Sequence, residues 1–269
     1  MTQTVAVLGT GKIGEALLSG MIRAGWRPAD LLVTTRRSER AEELRNRYGV
    51  DSVSNAEAAG RADILILAAK PQDMGRLLDE LSAHVTAERL VISAAAGITT
   101  AFIEDRLTEG TPVVRVMPNT PVVVDEGMSV ISAGSHATGA HLATAEAIFG
   151  GVGKTLRVPE SQQDAATALS GSGPAYFYFL VEAMTDAGIL LGLPRAQAHD
   201  LIVQAAIGAA VMLRDSGEHP VKLREAVTSP AGTTISAIRE LENHGVRAAL
   251  IAALEAARDR SRELASGNG

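Results

Sequence analysis

Three glycines near the start of the chain are the first residues whose spacing implies chemistry. Gly9, Gly11 and Gly14 in VAVLGTGKIGEALLSGMIRAG, residues 5–25, follow the order G-x-G-x-x-G. They come directly after an apolar run and open a helical pattern. In that setting Gly9 suits a tight turn and Gly11 lets a pyrophosphate approach the backbone. Gly14 lets the helix pack on the strand. The unpaired N–H groups of Thr10, Lys12 and Ile13 and the helix dipole then face an anion. A dinucleotide site is expected here.

The second strand end bears on which dinucleotide. An acid there usually holds a ribose hydroxyl. Residues 31–40 read LLVTTRRSER, with Thr34, Thr35, Arg36, Arg37 and Ser38 and no acid before Glu39. Guanidinium forks match a 2′-phosphate. Arg36 and Arg37 therefore favour NADP(H), with NADH as the alternative. Two later strand ends could line the same cleft. AAKPQ, residues 68–72, offers Ala68, Ala69, Lys70 and Pro71. SAAAGIT, residues 93–99, offers Ala95, Ala96 and Gly97. Small residues there allow close approach. In RVMPNTPVVVDEGMS, residues 115–129, Pro118 and Pro121 stiffen a loop around Asn119 and Thr120. That loop suits a nicotinamide or substrate site, or a structural turn.

Two small-residue stretches lie further on. In ALSGSGPAYFYF, residues 168–179, Ser170 and Ser172 can cap a helix and Pro174 fits its first turn. Gly171 and Gly173 leave the backbone bare for a close contact, and the aromatic residues 176–179 are expected to anchor the helix in the core. In TSPAGTTISAIREL, residues 228–241, hydroxyls surround Pro230 and Gly232 before another helical pattern. A helix start of that kind suits a carboxylate.

The elements that must position these residues follow from periodicity. Apolar strands are expected at 5–8, 31–35, 64–68, 90–93, 113–117, 128–132 and 155–158. Helices are expected between them at 13–24, 39–48, 74–81, 100–107 and 140–149. This alternation predicts an α/β Rossmann-type domain, a parallel sheet covered on both faces, over residues 1–160. PESQQD, residues 159–164, reads as a polar hinge. Beyond it only helices are expected, at 173–191, 195–216, 221–226, 234–242 and 246–265. An all-α C-terminal domain for substrate binding and dimerisation is thus expected over 161–269, its many alanines leaving room for helix pairing between subunits.

Composition narrows the function classes. The chain has 269 residues, 46% of them hydrophobic, with net charge −6 and no basic run, so nucleic acid is not an expected partner. There are no cysteines, which excludes disulfides, thiolate metal sites and cysteine nucleophiles. His84, His136, His141, His199, His219 and His244 form no i, i+4 pair, so no metal site is expected. Uninterrupted apolar runs such as 189–193 are too short to span a bilayer, and no signal-like segment precedes the first strand. No membrane partner and a cytoplasmic location are expected.

MPNTP, ALSGSGPAY, AGILLGLPR and TSPAGTT, in this order, resemble the pyrroline-5-carboxylate reductase family, and the resemblance covers nearly the whole chain. It implies NAD(P)H-dependent reduction of the cyclic imine 1-pyrroline-5-carboxylate to L-proline, the final step of proline biosynthesis. It also implies a Rossmann domain followed by a helical domain that forms intertwined homodimers, often assembled into decamers. By position, residues 9–14 and 68–71 would hold the cofactor and Asn55 would sit on its adenosine side. Gly232, Thr233 and Thr234 would hold the substrate carboxylate, and Glu160 aligns loosely with a substrate-side acid. Thr234 would contact the substrate through its hydroxyl, and Ser170 or Ser172 would position the ring. The family pattern S-P-G-G-T-T has Ala231 at its first glycine here. A β-hydroxyacid-type dehydrogenase is the rival enzyme. It needs a group, commonly lysine, to take the alcohol proton, and Lys222 is the sole lysine after the hinge. The non-enzyme rival is an NADP-binding redox sensor, which would not need the AGTT turn.

Overall fold

The computed structural model describes residues 3–265, and the chain divides into two compact units. Residues up to Ser172 and from Ala257 onward form the first; Gly173–Ala256 form the second.

Short, mainly apolar strands make the centre of the first unit, with Thr34 and Ser93 as their buried polar ends. β1 (Val5–Leu8), β2 (Leu31–Thr34), β4 (Ile64–Leu67) and β5 (Leu90–Ser93) are buried at every position. Strands covered on both faces need no polar alternation, which is why they read as continuous hydrophobic runs. They join β3 (Asp51–Ser52), β6 (Val113–Pro118), β7 (Gly127–Ala133) and β8 (Gly153–Arg157) in one sheet. The order is β3-β2-β1-β4-β5-β6-β7-β8. On one face α1 (Lys12–Arg23) and α6 (Gly139–Gly150) pack Leu17, Leu18, Met21 and Phe149 into the core. On the other lie α3 (Asn55–Arg61), α4 (Met74–Leu81) and α5 (Thr100–Glu104).

Two details depart from the expected sheet. β7 runs antiparallel to β6, and β8 runs parallel to β7. The connection at 119–126 is a short 3-10 turn, too short for a crossover, so the chain must return antiparallel. β3 and α3 were not expected at all. Both are short, β3 is polar and α3 buries only small alanines, Ala58 and Ala59; α3 starts from a local cap in which Ser54 Oγ accepts the Glu57 N–H at 3.2 Å.

A polar hub ties α1 to α2 (Ser38–Tyr48). Glu15 accepts hydrogen bonds from Arg40, from Arg47 at 3.0 Å and from the Tyr48 hydroxyl at 2.9 Å. Burial pushes the Glu15 carboxyl up, but the bonds from Arg40 and Tyr48 and the charges of Arg40 and Arg47 outweigh it. The net result is a pKa below the usual carboxylate range.

The segment 160–172 belongs with the sheet, although a hinge and a domain boundary were expected at its start. Gln163 is fully buried on α7 (Gln163–Ala166) and donates to Val130 O at 3.2 Å and Ser132 Oγ at 2.8 Å. Glu160 accepts from the Thr100 N–H at 2.8 Å and from the nearly buried Arg115 at 3.2 Å. The polar letters that read as a hinge are thus ligands for buried strand and helix-end groups. A π-helical turn, Thr167–Gly171, then leads to Ser172.

The second unit is helical throughout. It comprises α8 (Gly173–Leu190), α9 (Arg195–Ser216), α10 (Pro220–Ala226), α11 (Thr233–Asn243) and most of α12 (Val246–Ala265). α8 and α9 meet closely at Gly188, where a Cβ would come within 2.7 Å of Ala198 Cβ. The aromatic turn of α8 is not a core anchor: Phe177, Tyr178 and Phe179 are 66–69% exposed. By length and hydropathy α9 would be apolar enough to cross a membrane, which counting uninterrupted runs did not suggest, and only 6% of its apolar window is buried.

Ahead of α11, Ala231 sits in the left-handed region at φ 57°. A Cβ there costs about 1–2 kcal/mol, against about 0.4–1 kcal/mol of extra chain entropy for glycine. Ala231→Gly should therefore raise stability by roughly 0.5–1 kcal/mol, measured by urea unfolding. A group whose pKa is lowered on folding stabilises fully above its unfolded value and loses that contribution as pH falls through the folded one. Glu15→Gln should cost about 1–2 kcal/mol near neutral pH, and the gap to the parent should close in acid, below the ordinary glutamate range.

Candidate functional site

After β1 the chain moves to β2 on one side, and β4 later pairs with β1 on the other. Strand order reverses there, and ligands of open α/β sheets lie at the carboxyl ends of strands at such a point. A cavity of about 830 Å³ opens at this place.

The glycine turn forms one wall. Gly9 has φ 96°, and a Cβ on it would come within 2.9 Å of the Ala68 carbonyl. A Cβ on Gly14 would overlap the Gly9 carbonyl oxygen, so α1 lies directly on the turn. Gly11, by contrast, has nothing within 4 Å in its Cβ direction and lines the cavity. It is also the N-cap of α1, with no side chain capping the first turn. The wall thus offers bare backbone and helix-start N–H groups, the arrangement that takes a phosphate. The residues fit a dinucleotide pyrophosphate on these grounds alone.

Most of the expected cofactor residues meet here. Gly9, Thr10 and Gly11 line the cavity, as do Arg36, Arg37 and Asn55. Ala68, Ala69 and Lys70 line it from the end of β4. Lys12, Ile13 and Gly14 form the first turn of α1, behind that wall. Pro71 opens a 3-10 turn, Pro71–Asp73, that brings Asp73 to the cavity.

Others lie elsewhere in the first unit. Ala95, Ala96 and Gly97 follow β5 and are not among the cavity's walls. Ala95 is buried in the sheet-face core, and the Cβ direction of Gly97 (φ 72°) points 3.5 Å from Leu264 Cβ. Asn119 donates to Ser170 O at 3.0 Å and accepts the Met128 N–H at 2.8 Å, so its amide braces the π turn against β7. Glu160 is likewise engaged, by Thr100 and Arg115. Ser172 closes the π turn, its N–H bonded to Thr167 O at 2.9 Å.

The cavity holds charges that the sequence did not single out. Arg40 reaches it from the first turn of α2, while Arg36 and Arg37 reach it from the extended segment that precedes that helix. Asp73, Arg76 and Glu80 reach it from the α4 side. Arg36 makes a forked pair with Asp73, at 3.0 and 3.4 Å. Asn55 donates to Glu80 at 2.7 Å. The i, i+3, i+7 spacing of Asp73, Arg76 and Glu80 was the available signal.

In the second unit, Gly232 is the N-cap of α11, and no side chain caps that helix start. A Cβ on Gly232 would run into Ser229 Oγ. Thr233 and Thr234 occupy the first turn, with Thr234 half-buried. Bare N–H groups beside hydroxyls give a carboxylate-sized anion site. Among the described residues no group of three or more His, Asp or Glu side chains could hold a metal.

Comparison with known proteins places the chain. The family model for pyrroline-5-carboxylate reductase dimerisation matches residues 160–264, and that for NADP oxidoreductase, coenzyme F420-dependent, matches residues 4–97. The pyrroline-5-carboxylate reductase of Corynebacterium melassecola is 46% identical, over 97% of this chain and 98% of its own length. That of Mycobacterium tuberculosis is 43% identical, over 97% and 96%. The structure of a pyrroline-5-carboxylate reductase from Coxiella burnetii superposes with a TM-score of 0.93 at 36% identity, over 98% of this chain and 99% of that one. The Plasmodium falciparum pyrroline carboxylate reductase, solved with NADP bound, gives a TM-score of 0.86 at 27% identity, over 98% of each chain. The chain belongs to the pyrroline-5-carboxylate reductase family.

Proposed function

We propose that this chain reduces 1-pyrroline-5-carboxylate to L-proline with NADPH, and accepts NADH as a second reductant. The observation that carries the reading is the glycine-walled cavity at the β1/β4 switch point, edged by Arg36 and Arg37 where an acid would ordinarily stand. When bound, the reduced dinucleotide would supply a hydride to the carbon of the C=N bond, and the ring nitrogen, which takes one proton, stays in the ring as the secondary amine of proline.

The chain's own groups bind and orient. Gly11 and the first turn of α1 take the pyrophosphate; Ala68 and Ala69 admit the cofactor close to the sheet. Arg37, and Arg36 once it exchanges its exposed Asp73 partner, take the 2′-phosphate, while Arg40 stays paired with Glu15 and Glu43. Asn55 takes the adenosine side. Lys70 adds positive charge at the rim. Gly232, Thr233 and Thr234 take the substrate carboxylate, and the Thr234 hydroxyl orients the ring. Ser172 stands at the end of the π turn, and Asn119 holds that turn through Ser170. Glu160 supports the same region through Thr100 and Arg115. A protonated imine is already electrophilic, so the protein supplies position more than acid or base. Alcohol oxidation is disfavoured: Lys222, the second unit's single lysine, pairs with Glu218 at 3.2 Å.

The second unit serves as the dimer interface. Phe177, Tyr178, Phe179, Leu190 and Leu191 are exposed on α8 and its end, and Ile207 and Val211 are exposed one helical turn apart on α9. Apolar surface on that scale calls for a protein partner, and a second copy of the chain is that partner. Dimers assemble further into a decamer, and the enzyme acts in the cytoplasm.

Thr234→Ala should lower kcat/KM for pyrroline-5-carboxylate by about 10–100-fold, the worth of a hydrogen bond to a charged group, while the Kd for NADPH stays within twofold of the parent. Stopped assays of NADPH oxidation and fluorescence titration read the two quantities. Replacing Ile207 and Val211 together by glutamate should convert the oligomer to monomers in sedimentation, and an unchanged sedimentation coefficient would overturn the interface.

A further inference from the structure

We infer that Asp73 is a cofactor-specificity residue: its carboxylate opposes the 2′-phosphate of NADPH and stands in for the ribose-binding acid missing from the end of β2. The inference rests on the dinucleotide reading of the cavity.

Arg36 follows the carboxyl end of β2, the place where such sites meet the 2′ substituent. The group that occupies its guanidinium is Asp73, with Nη2 to Oδ2 at 3.0 Å and Nη1 to Oδ1 at 3.4 Å. Both residues line the same cavity. A 2′-phosphate that uses Arg36 must therefore share it with, or take it from, a carboxylate about one hydrogen bond away. Among the described residues, the forked pair with Arg36 is the one hydrogen-bonded ion pair that carboxylate makes. Asp73 is the N-cap of α4, yet its side chain makes no capping bond. Its other cation, Arg76, is 3.8 Å away, beyond hydrogen-bond reach.

Two consequences of opposite sign follow. A phosphate near −2 is repelled by the Asp73 charge, which weakens NADPH. A ribose hydroxyl is a donor, and a carboxylate is its strongest acceptor, which favours NADH. The pair is mostly solvent-accessible on the Arg36 side, with side-chain exposures of 70% and 26%. An exposed pair is cheap to open, so the phosphate can still displace the acid. The site is then built to take both cofactors, with Arg36 serving one and Asp73 the other.

The test is equilibrium titration of the full-length enzyme, without imine, by quenching of its fluorescence with NADPH and with NADH. Asp73→Asn removes the charge and keeps the shape. It should tighten NADPH by about fivefold and weaken NADH by about threefold. Arg36→Gln should move the ratio the other way, weakening NADPH by about tenfold with little change for NADH. If the asparagine variant melts early, Asp73→Ser, also an N-cap residue, should shift the ratio in the same direction. Equal shifts for both nucleotides, or none, with Arg36→Gln behaving as stated, would overturn the role of Asp73 and leave the dinucleotide reading standing. Failure of the parent enzyme to bind either nucleotide would overturn both.

Discussion

The first unit depends on a contact made by an absence. The carbonyl of Gly9 lies where a side chain on Gly14 would be, and Gly9 itself sits against the carbonyl of Ala68. Two backbone segments and a helix start are thereby brought within van der Waals distance of one another. Larger residues at either position would push α1 off the sheet and close the route by which an anion reaches the helix N-terminus. The apolar strands, the α1 and α6 packing and the Glu15 hub all serve to hold that contact. Glu15 is central here because Arg40, which it holds, also approaches the Thr10 carbonyl in the turn itself.

Around this rigid turn the electrostatics are balanced rather than uniformly positive. Arg36, Arg37 and Arg40 come from the β2 side, while Asp73, Arg76 and Glu80 come from the α4 side. Each acid engages one of the groups expected to bind the cofactor, Arg36 or Asn55. A cavity that pairs its own charges stays stable when empty and gives them up singly, at small cost, to a ligand.

Much of this was legible in the residues. Strands buried on both faces announce themselves as unbroken apolar runs, and the glycine spacing marks the turn because it directly follows such a run and opens a helical pattern. The less visible parts have identifiable causes. β3 is two polar residues, and α3 is short and presents only alanines to the core, so neither shows a period. The reversal of β7 follows from loop length, not from strand composition. The segment after Pro159 looks like a linker because its side chains are polar, yet Gln163 and Glu160 spend that polarity on buried partners. The aromatic cluster at 176–179 reads as core because bulky apolar residues are usually inside, but in a single copy of the chain three of its four members face outward. A sequence marks a residue as apolar without saying whether the apolar neighbour is its own chain or another.

The last turns of α12 return to the first unit. Ser261 donates to Asp164 at 2.7 Å, and Leu264 packs over Gly97. The helical unit is therefore threaded into its neighbour's covalent path instead of being appended to it. Cutting after Ser172 would strip the nucleotide half of a piece of its own surface and leave Gly97 bare. An isolated dinucleotide-binding fragment would have to be respliced, with 257–265 supplied through an artificial connector, before it could be handled as a free-standing module.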